Sequence, residues 1–285
     1  MRRAALTGIL LACAGIAHAE ATEVWRLGGF SGPESVGRDP ATGRLYVSNY
    51  GADPMARDGD GFISIITADG SIERLDWVIG LDGPKGIDFA GGKLFVADLD
   101  QLVEIDTVSG EITARHRVEG AQLLNDVAAG PDGRIYVSDT LGAAVHVLEN
   151  GVVSLLVQDP LLNGANGLLV EGDTLLVAEL GDLSGGFENI KPGPVMQIDL
   201  ATMTITAYGA EGPVGVLDGV ESDGEGGLLL TDFMAGTVLQ LQPGGTASLV
   251  ATVGQGAADL EVDPTNGLIL VPVSPANEVV ALRRN

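Results

Sequence analysis

One pattern recurs six times along the chain and constrains its fold more than any other feature. Each copy has a polar residue, a short apolar segment, a turn containing glycine, a second apolar segment and then usually an acid or amide. The copies begin at Glu34, Lys85, Asn125, Asn166, Asp218 and Asp259. Their starting positions are 40–52 residues apart, and a repeat of about 40 residues is typical of a four-stranded propeller blade.

The third and sixth copies predict how the blades are built and how the ring closes. The third copy contains four expected strands, near 126–129, 134–138, 143–148 and 152–157, with a hairpin at Asn150-Gly151. The sixth copy has only three strands before the sequence ends, whereas a strand-like stretch at 23–27 precedes the first copy. We therefore predict an all-β fold, a six-bladed β-propeller of four-stranded blades, with the N-terminal strand closing the ring.

The first 19 residues have the composition of an export signal. Arg2 and Arg3 precede an apolar run, and the sequence Ala-His-Ala at 17–19 resembles a signal-peptidase cleavage site. We therefore predict that residues 1–19 are a signal peptide and that residues 20–285 form a single exported domain, periplasmic or secreted.

The apolar run is too short to cross a bilayer, so we expect no membrane-spanning segment in the mature chain. A lipoprotein attached through Cys13 is the alternative to plain cleavage. Cys13 is the only cysteine of the sequence. Cleavage after residue 19 would therefore leave no thiol for a disulfide, a thiolate nucleophile or a cysteine–zinc site.

The charge of the chain argues against two classes of partner. Lys and Arg number 15 against 39 Asp and Glu, a formal net charge of −24. Loss of residues 1–19 removes two Arg and no acid, leaving 13 against 39, or −26. Such a field repels nucleic-acid phosphates and anionic lipid headgroups. Hydrophobic residues make up 45% and charged residues only 19%, so the acidity does not indicate disorder.

The six leading residues predict a ring around one opening of the central tunnel, where the innermost strand of each blade begins. Two carboxylates and two amides among them offer the oxygen donors that Ca²⁺ prefers, so we predict one axial divalent ion, Ca²⁺ before Mg²⁺, Mn²⁺ or Zn²⁺. The alternative is that these side chains only cap turns, as Asn and Asp commonly do. The same placement in six repeats favours the metal site.

Four copies carry a short motif at this position: Gly32-Pro33-Glu34, Leu124-Asn125-Asp126, Asn166-Gly167-Leu168 and Leu217-Asp218-Gly219. Through these motifs, residues 23–283 resemble the regucalcin (senescence marker protein)/gluconolactonase family of six-bladed propellers, which hold one catalytic divalent metal at the axis. The resemblance implies a small-molecule substrate. It also implies that Glu34, Asn125, Asn166 and Asp218 are the metal ligands and that Asp218 is also the general base, or orients the attacking water.

The sequence departs from this family at two places, and the role of a third ring residue is open. Members often carry an arginine before the third-blade Asn-Asp pair, where it helps to hold a sugar, but this chain has Leu123-Leu124. Lys85 would either stabilise an oxyanion or orient substrate as a catalytic residue, or pair with Asp88 or with an acid of the ring. Asp259 would be a further ring ligand, a partner for Lys85 or a turn residue.

These observations favour an exported, metal-dependent hydrolase of a small lactone or ester, with Asp218 and Lys85 as catalytic residues. The alternative is a non-catalytic propeller that binds a ligand or a protein and whose axial ion is structural. A lyase activity on the same scaffold ranks lowest, since no histidine or glutamate base is evident. His116 and His146 fall on outer strands, which argues against a histidine-based mechanism.

Two further patterns concern the ends of the second strands. These strands end in Asn49, Asp98, Asp139, Glu179 and Asp232, for which we predict hydrogen bonds from the following turn. Blades one and four carry insertions at 50–61 and 180–193. Both insertions follow second strands, so we expect them to overhang the metal from opposite sides and to select the substrate.

Overall fold

The computed structural model describes residues 21–210 and 212–284. Their 24 strands form six antiparallel sheets of four strands each, which lie in a ring as a six-bladed β-propeller. The predicted fold class is therefore confirmed. The predicted signal peptide lies outside the described residues. In the described part of the chain, no helix has the length and apolar character needed to cross a bilayer.

The first thirteen strands of the chain comprise one strand of the sixth blade, β1, followed by the four strands of each of the first three blades. They are β1 (Ala21–Gly28); β2 (Pro33–Arg38), β3 (Leu45–Asn49), β4 (Gly61–Ile66) and β5 (Ile72–Leu81); β6 (Pro84–Ala90), β7 (Lys93–Asp98), β8 (Gln101–Asp106) and β9 (Ile112–Arg117); and β10 (Leu124–Ala129), β11 (Ile135–Asp139), β12 (Ala144–Glu149) and β13 (Val152–Gln158).

The last three blades continue in chain order. They are β14 (Ala165–Glu171), β15 (Thr174–Glu179), β16 (Val195–Asp199) and β17 (Ile205–Tyr208); β18 (Leu217–Ser222), β19 (Leu228–Asp232), β20 (Thr237–Leu241) and β21 (Ala247–Thr252); and β22 (Glu261–Asp263), β23 (Leu268–Val273) and β24 (Glu278–Arg284). Three short 3₁₀ helices lie in loops, at Pro160–Leu162, Phe187–Asn189 and Ser274–Ala276.

The third blade follows the strand pattern predicted from its sequence. Its four strands each contain most of the predicted segment, and each boundary differs by two residues at most. Asn150 and Gly151 both have positive φ angles, 51° and 78°. That is the backbone of a type I′ hairpin, for which Asn-Gly is the preferred dipeptide.

The N-terminal strand closes the ring as predicted. β1 pairs antiparallel with β24, with Ala21 opposite Arg284 and Gly28 opposite Glu278. The sixth blade therefore has the order β1-β24-β23-β22. The guanidinium of Arg26 donates to Glu278 Oε2 at 2.9 Å across this pairing. This strand covers the edge that β24 would otherwise expose to solvent.

The hydrophobic core lies between neighbouring blades, because each sheet buries both faces against the next. Tyr46 of blade one shows the arrangement. Its ring centroid lies 4.9 Å from that of Trp77 in its own blade and 5.2 Å from that of Phe89 in blade two. Ile63 of blade one and Val96 of blade two belong to the same buried cluster. Each blade is thus held in place by its two neighbours, which fixes the inner strands around the axis.

Candidate metal and substrate site

A shared irregularity in the inner strands turns the leading side chains toward the axis. In blade one, Pro33 pairs with Asn49, but regular pairing resumes only at Val36. The inner strands of blades two to five show the same interruption. Bulges of this kind redirect side chains and are common beside active sites. The first residue of each interruption is Glu34, Lys85, Asn125, Asn166 or Asp218.

Hydroxyl side chains of the second strands hold this irregular backbone in three blades. The amide of Ser35 donates to Ser48 Oγ at 2.9 Å. Asp126 and Gly219, the corresponding residues of blades three and five, donate in the same way to Ser138 Oγ and Thr231 Oγ1, both at 2.8 Å. These bonds satisfy amides that the ladder leaves unpaired. The sequence signal is a Ser or Thr just before the Asn or Asp that ends the second strand.

Five of the six predicted ring residues line one cavity of about 380 Å³, which we call the main cavity. They are Glu34, Lys85, Asn125, Asn166 and Asp218. They come from five different blades, and all five are buried. The structure thus brings the carboxylates of residues 34 and 218 into one site, although 184 positions separate them in sequence.

The sixth predicted residue, Asp259, has a different place. Ala257 pairs with Val273 as Pro33 does with Asn49, so the ring position of blade six belongs to Ala258. Asp259 lies one residue further along, where its carboxylate accepts a hydrogen bond of 2.5 Å from Ser35 Oγ. It is therefore not among the residues that line the main cavity. The prediction was displaced by one residue.

Asp259 instead lines a second cavity of about 80 Å³, deeper along the inner strands. Asp88, Asp126, Glu221 and Glu261 also line it. Burial raises the pKa of all five carboxyls, that of Asp88 to about 6 and that of Glu261 to about 8. The sequence reasoning did not find this cluster, although Asp88 and Glu221 both lie three positions after a leading residue.

The two asparagines of the ring use their side-chain nitrogens for hydrogen bonds within the protein. Asn125 Nδ2 donates to Thr140 Oγ1 at 3.1 Å, and Asn166 Nδ2 donates to the carbonyl of Leu217 at 3.4 Å. Because both amide nitrogens are engaged with protein acceptors, the amide oxygens remain available to a ligand. Glu34 Oε2 is also buried without a hydrogen-bond partner.

The electrostatics of the ring favour a bound cation. Burial raises the pKa of Glu34 well above its usual range and that of Asp218 to about 7, although the charge of Lys85 opposes both shifts. The charge of Asp218 further raises the pKa of Glu34. Two carboxylates held together away from water are costly unless a positive charge accompanies them.

The donor set fits a hard divalent ion. Glu34, Asn125, Asn166 and Asp218 offer oxygen ligands from four blades, and Ca²⁺ takes six to eight oxygens, water included. No three His, Cys, Asp or Glu side chains of residues 21–210 and 212–284 lie close enough together to hold a metal ion. A metal here would therefore need the two amides as well as the two carboxylates. An oxygen-only set suits Ca²⁺, Mg²⁺ or Mn²⁺ better than Zn²⁺.

Lys85 faces the main cavity and not Asp88. Its ammonium nitrogen lies 5.5 Å from the centroid of the Tyr50 ring, and both residues line the cavity. Asp88 accepts hydrogen bonds from the amides of Phe89 at 2.6 Å and Ala129 at 2.7 Å. The structure thus leaves the positive charge of Lys85 directed at the ring carboxylates and at whatever the cavity holds.

Above the ring, the cavity is walled by apolar side chains from three loops. We call this group the apolar wall: Pro54, Met55, Leu180, Phe187, Phe233 and Met234. The first two belong to the insertion of blade one and the next two to that of blade four, so both insertions lie where the sequence predicted them. Leu123, which replaces the arginine of the resembled family, also lines the cavity.

The residues that end the second strands have mixed roles. Asp232 accepts from the amides of Met234 and Ala235 in the following turn, as predicted. Asp98 instead accepts from Asp82 and Gly83, in the loop that precedes its own inner strand. Their position thus ties the two loops at the cavity end of a blade together.

Neither histidine of the described chain lines the cavity. His116 Nε2 lies 2.7 Å from Glu104 Oε1 on the outer part of blade two. His146 is buried within blade three, with its Nε2 atom 3.7 Å from Asp139 Oδ2. Both lie on outer strands, away from the axis, as predicted.

No protein-family model and no curated protein sequence matches this chain. Its structure is similar to that of a gluconolactonase from Xanthomonas campestris, with 15% identity, a TM-score of 0.69, and coverage of 94% of this chain and 90% of the other. A structural-genomics target provisionally named a gluconolactonase is 21% identical, with a TM-score of 0.67 and coverage of 94% and 93%.

A third similar structure is virginiamycin B lyase from Staphylococcus aureus, solved with quinupristin as an inactive variant in which a histidine is replaced by alanine. It is 16% identical, with a TM-score of 0.61 and coverage of 92% of this chain and 99% of the lyase. At these identities the likeness concerns the fold. The chain has the fold of a gluconolactonase-like propeller.

Proposed function

We propose that this protein is an exported, metal-dependent hydrolase of a small lactone or ester. The observation that carries the proposal is the meeting of two carboxylates, two side-chain amides and a lysine, all buried, in the lining of one cavity. The structural likeness to a gluconolactonase supports the same reaction class. Export to the periplasm or secretion is part of the proposal, and N-terminal sequencing of the mature protein from the extracytoplasmic fraction tests it.

Each ring residue has a distinct task in this proposal. Glu34, Asn125, Asn166 and Asp218 would hold the ion, which supplies Lewis-acid polarisation of the substrate carbonyl when bound. Asp218 orients the attacking water and accepts its proton. The ammonium of Lys85 stabilises the negative charge that develops on the carbonyl oxygen.

Turnover of lactones, aryl esters and phosphotriesters, with and without EDTA, tests this function. We expect chelator-sensitive hydrolysis of lactones or esters by the wild type. Asp218→Asn should lower kcat/KM at least about a hundredfold, in the range of a lost general base. Glu225→Gln is the matched control, since it removes a carboxylate that is 74% exposed in the same blade. Equal activity of the two variants would contradict the proposed role of Asp218.

A non-catalytic binding propeller remains the second candidate. The observation that favours it is the absence of an arginine above the ring, where Leu123 lies instead. This function predicts a fall in Tm on chelation with no turnover of any substrate class. A lyase ranks third. The lyase variant that lost a histidine is inactive, whereas the described lining of this cavity contains no histidine.

A further inference from the structure

The polar groups around the candidate site are nearly all committed to the protein. Thr140 Oγ1 donates to the carbonyl of Ala165 at 2.7 Å and accepts from Asn125. Ser274 Oγ donates to the carbonyl of Pro33 at 2.6 Å. Lys85, the hydroxyl of Tyr50 and the ring oxygens are therefore the polar groups left for a ligand in the described lining of the cavity.

This arrangement opposes a polyhydroxylated substrate. A sugar lactone would bring several hydroxyls into a cavity whose ring can serve only those nearest the reacting carbonyl. Each hydroxyl buried against the apolar wall without a partner would cost about 1–3 kcal/mol, or about five- to 150-fold in binding. An anionic substrate is opposed as well. Lys85 is the only basic side chain among the described lining residues, and the chain carries a net charge of −24.

The apolar wall offers favourable contacts to a hydrocarbon chain instead. Met55, Phe187 and Met234 are 50%, 58% and 42% exposed, respectively. Large apolar side chains that are exposed together at one cavity are typical of a ligand-binding site. Methionine also adapts to ligands of different shape. The cavity volume of about 380 Å³ lies in the lower part of the usual range for small-molecule sites.

We propose that the substrates are neutral lactones or esters with an alkyl or aryl chain, and that the apolar wall holds this chain while the carbonyl lies at the ring. This inference rests on the hydrolase function proposed above. It adds a requirement to that function, namely that the apolar wall contacts the substrate. If the ring alone determined hydrolysis, the rate would not depend on the length of an apolar chain.

Two matched series of compounds test the proposal. The first is δ-lactones with linear side chains from methyl to octyl, compared with glucono-δ-lactone in turnover assays. The second is the corresponding δ-lactams, whose binding is measured by calorimetry because they resist hydrolysis. We expect kcat/KM and lactam affinity to rise about two- to fourfold per methylene until the cavity is filled, since a buried methylene contributes up to about 0.8 kcal/mol. Glucono-δ-lactone should be the poorest substrate.

The variant Met55→Gln/Met234→Gln makes the wall polar at nearly constant side-chain size. Both methionines are half exposed, so the fold should tolerate the change. We expect about a tenfold or larger loss of octyl-lactam affinity and a loss of about threefold or less for the methyl compound, whose short chain buries less of the wall. Met203→Gln, at a turn outside the cavity lining and 37% exposed, is the control and should bind both compounds like the wild type.

The outcomes separate the two proposals. Chain-length-dependent lactam binding without turnover of any lactone would support the apolar ligand class and refute the hydrolase function. Lactone turnover with no dependence on chain length, or with glucono-δ-lactone as the best substrate, would overturn the inference and leave the hydrolase function standing. If lactam affinity does not change with chain length, the inference is wrong whatever the activity.

Discussion

Glu179 provides a sharp test of the electrostatic reasoning, because it ends the second strand of blade four where Asp139 ends that of blade three. Asp139 Oδ1 accepts from the amides of Leu123 at 2.8 Å and Gly142 at 3.1 Å. Glu179 Oε1 is buried without a hydrogen-bond partner. Hydrogen bonds, together with His146, lower the pKa of Asp139, whereas burial raises that of Glu179 from 4.5 to about 8.

The two carboxyls should therefore affect stability with opposite sign. The native state holds the proton of Glu179 more tightly than the unfolded state does, so the stability that this group contributes is lost as the pH rises from about 4.5 to about 8. Glu179→Gln removes this loss. For Asp139 the native state favours the ionised form, so its contribution is present at neutral pH and Asp139→Asn removes it.

The size of the effect follows from the pKa of Glu179. A pKa difference of one unit corresponds to about 1.4 kcal/mol, so the change from 4.5 to about 8 sets an upper limit near 5 kcal/mol. Partial contact with solvent reduces this, and we expect Glu179→Gln to stabilise the protein by about 2 kcal/mol above pH 8. For a chain of this size that is a rise in Tm of about 4–8 °C.

Thermal unfolding of the wild type and both variants between about pH 5 and pH 8.5 measures this difference. The advantage of Glu179→Gln should shrink to a few tenths of a kcal/mol near pH 5, where the wild-type carboxyl is protonated in the folded protein. Asp139→Asn should cost about 1–3 kcal/mol at pH 7, because it weakens several charge-assisted bonds. A Glu179→Gln effect that does not change with pH would refute the reasoning.

Three further predictions concern the inner strands, the ion and the ring closure. Gly167→Ala should lower stability by about 1–3 kcal/mol in thermal unfolding, because its Cβ would lie 2.3 Å from the carbonyl oxygen of Asp218; Gly28→Ala, with no atom closer than 3.9 Å, is the control and should be tolerated. Ca²⁺ at about 100 times its Kd should raise Tm by about 5–10 °C in the wild type, and an unchanged Tm would contradict the metal site. Asn166→Ala should lose most of that rise. Deletion of residues 21–28 should abolish the cooperative unfolding transition in circular dichroism, and a sharp transition at the wild-type Tm would refute the role of ring closure.

The sequence predicted the blade count, the closing strand and five ring positions because each depends on a local pattern that repeats. Glu34, Lys85, Asn125, Asn166 and Asp218 all come directly before the apolar part of an inner strand. Once the propeller is formed, the bulge that follows Pro33 and its counterparts places them at one opening. Their assigned chemical roles remain predictions.

Asp259 shows where the pattern was insufficient. The inner strand of blade three carries polar side chains at two adjacent positions, Asn125 and Asp126, and these face different cavities. In blade six the first of the two positions is Ala258, so alignment on polarity selected the second. A shift of one residue in a strand exchanges its faces, and only the pairing of Ala257 with Val273 reveals the correct register.

The apolar wall could not be derived from the repeat, because its residues lie outside the repeated segments. Phe187 belongs to the insertion of blade four, and Met234 to a turn after β19. Their convergence above the ring depends on the paths of separate loops. The length of the insertions predicted that loops would reach this opening, but not which side chains they would present.

Pairing between β1 and β24 also has a topological consequence. Ala21 lies opposite Arg284, so the two ends of the described chain are neighbours on the outside of one blade. A short linker could join them, and new termini could be opened at an exposed turn such as Asn150-Gly151. Circular permutants of this kind should fold, because strand pairing and packing between neighbouring blades stabilise the ring. Neither depends on the order of the blades in the sequence.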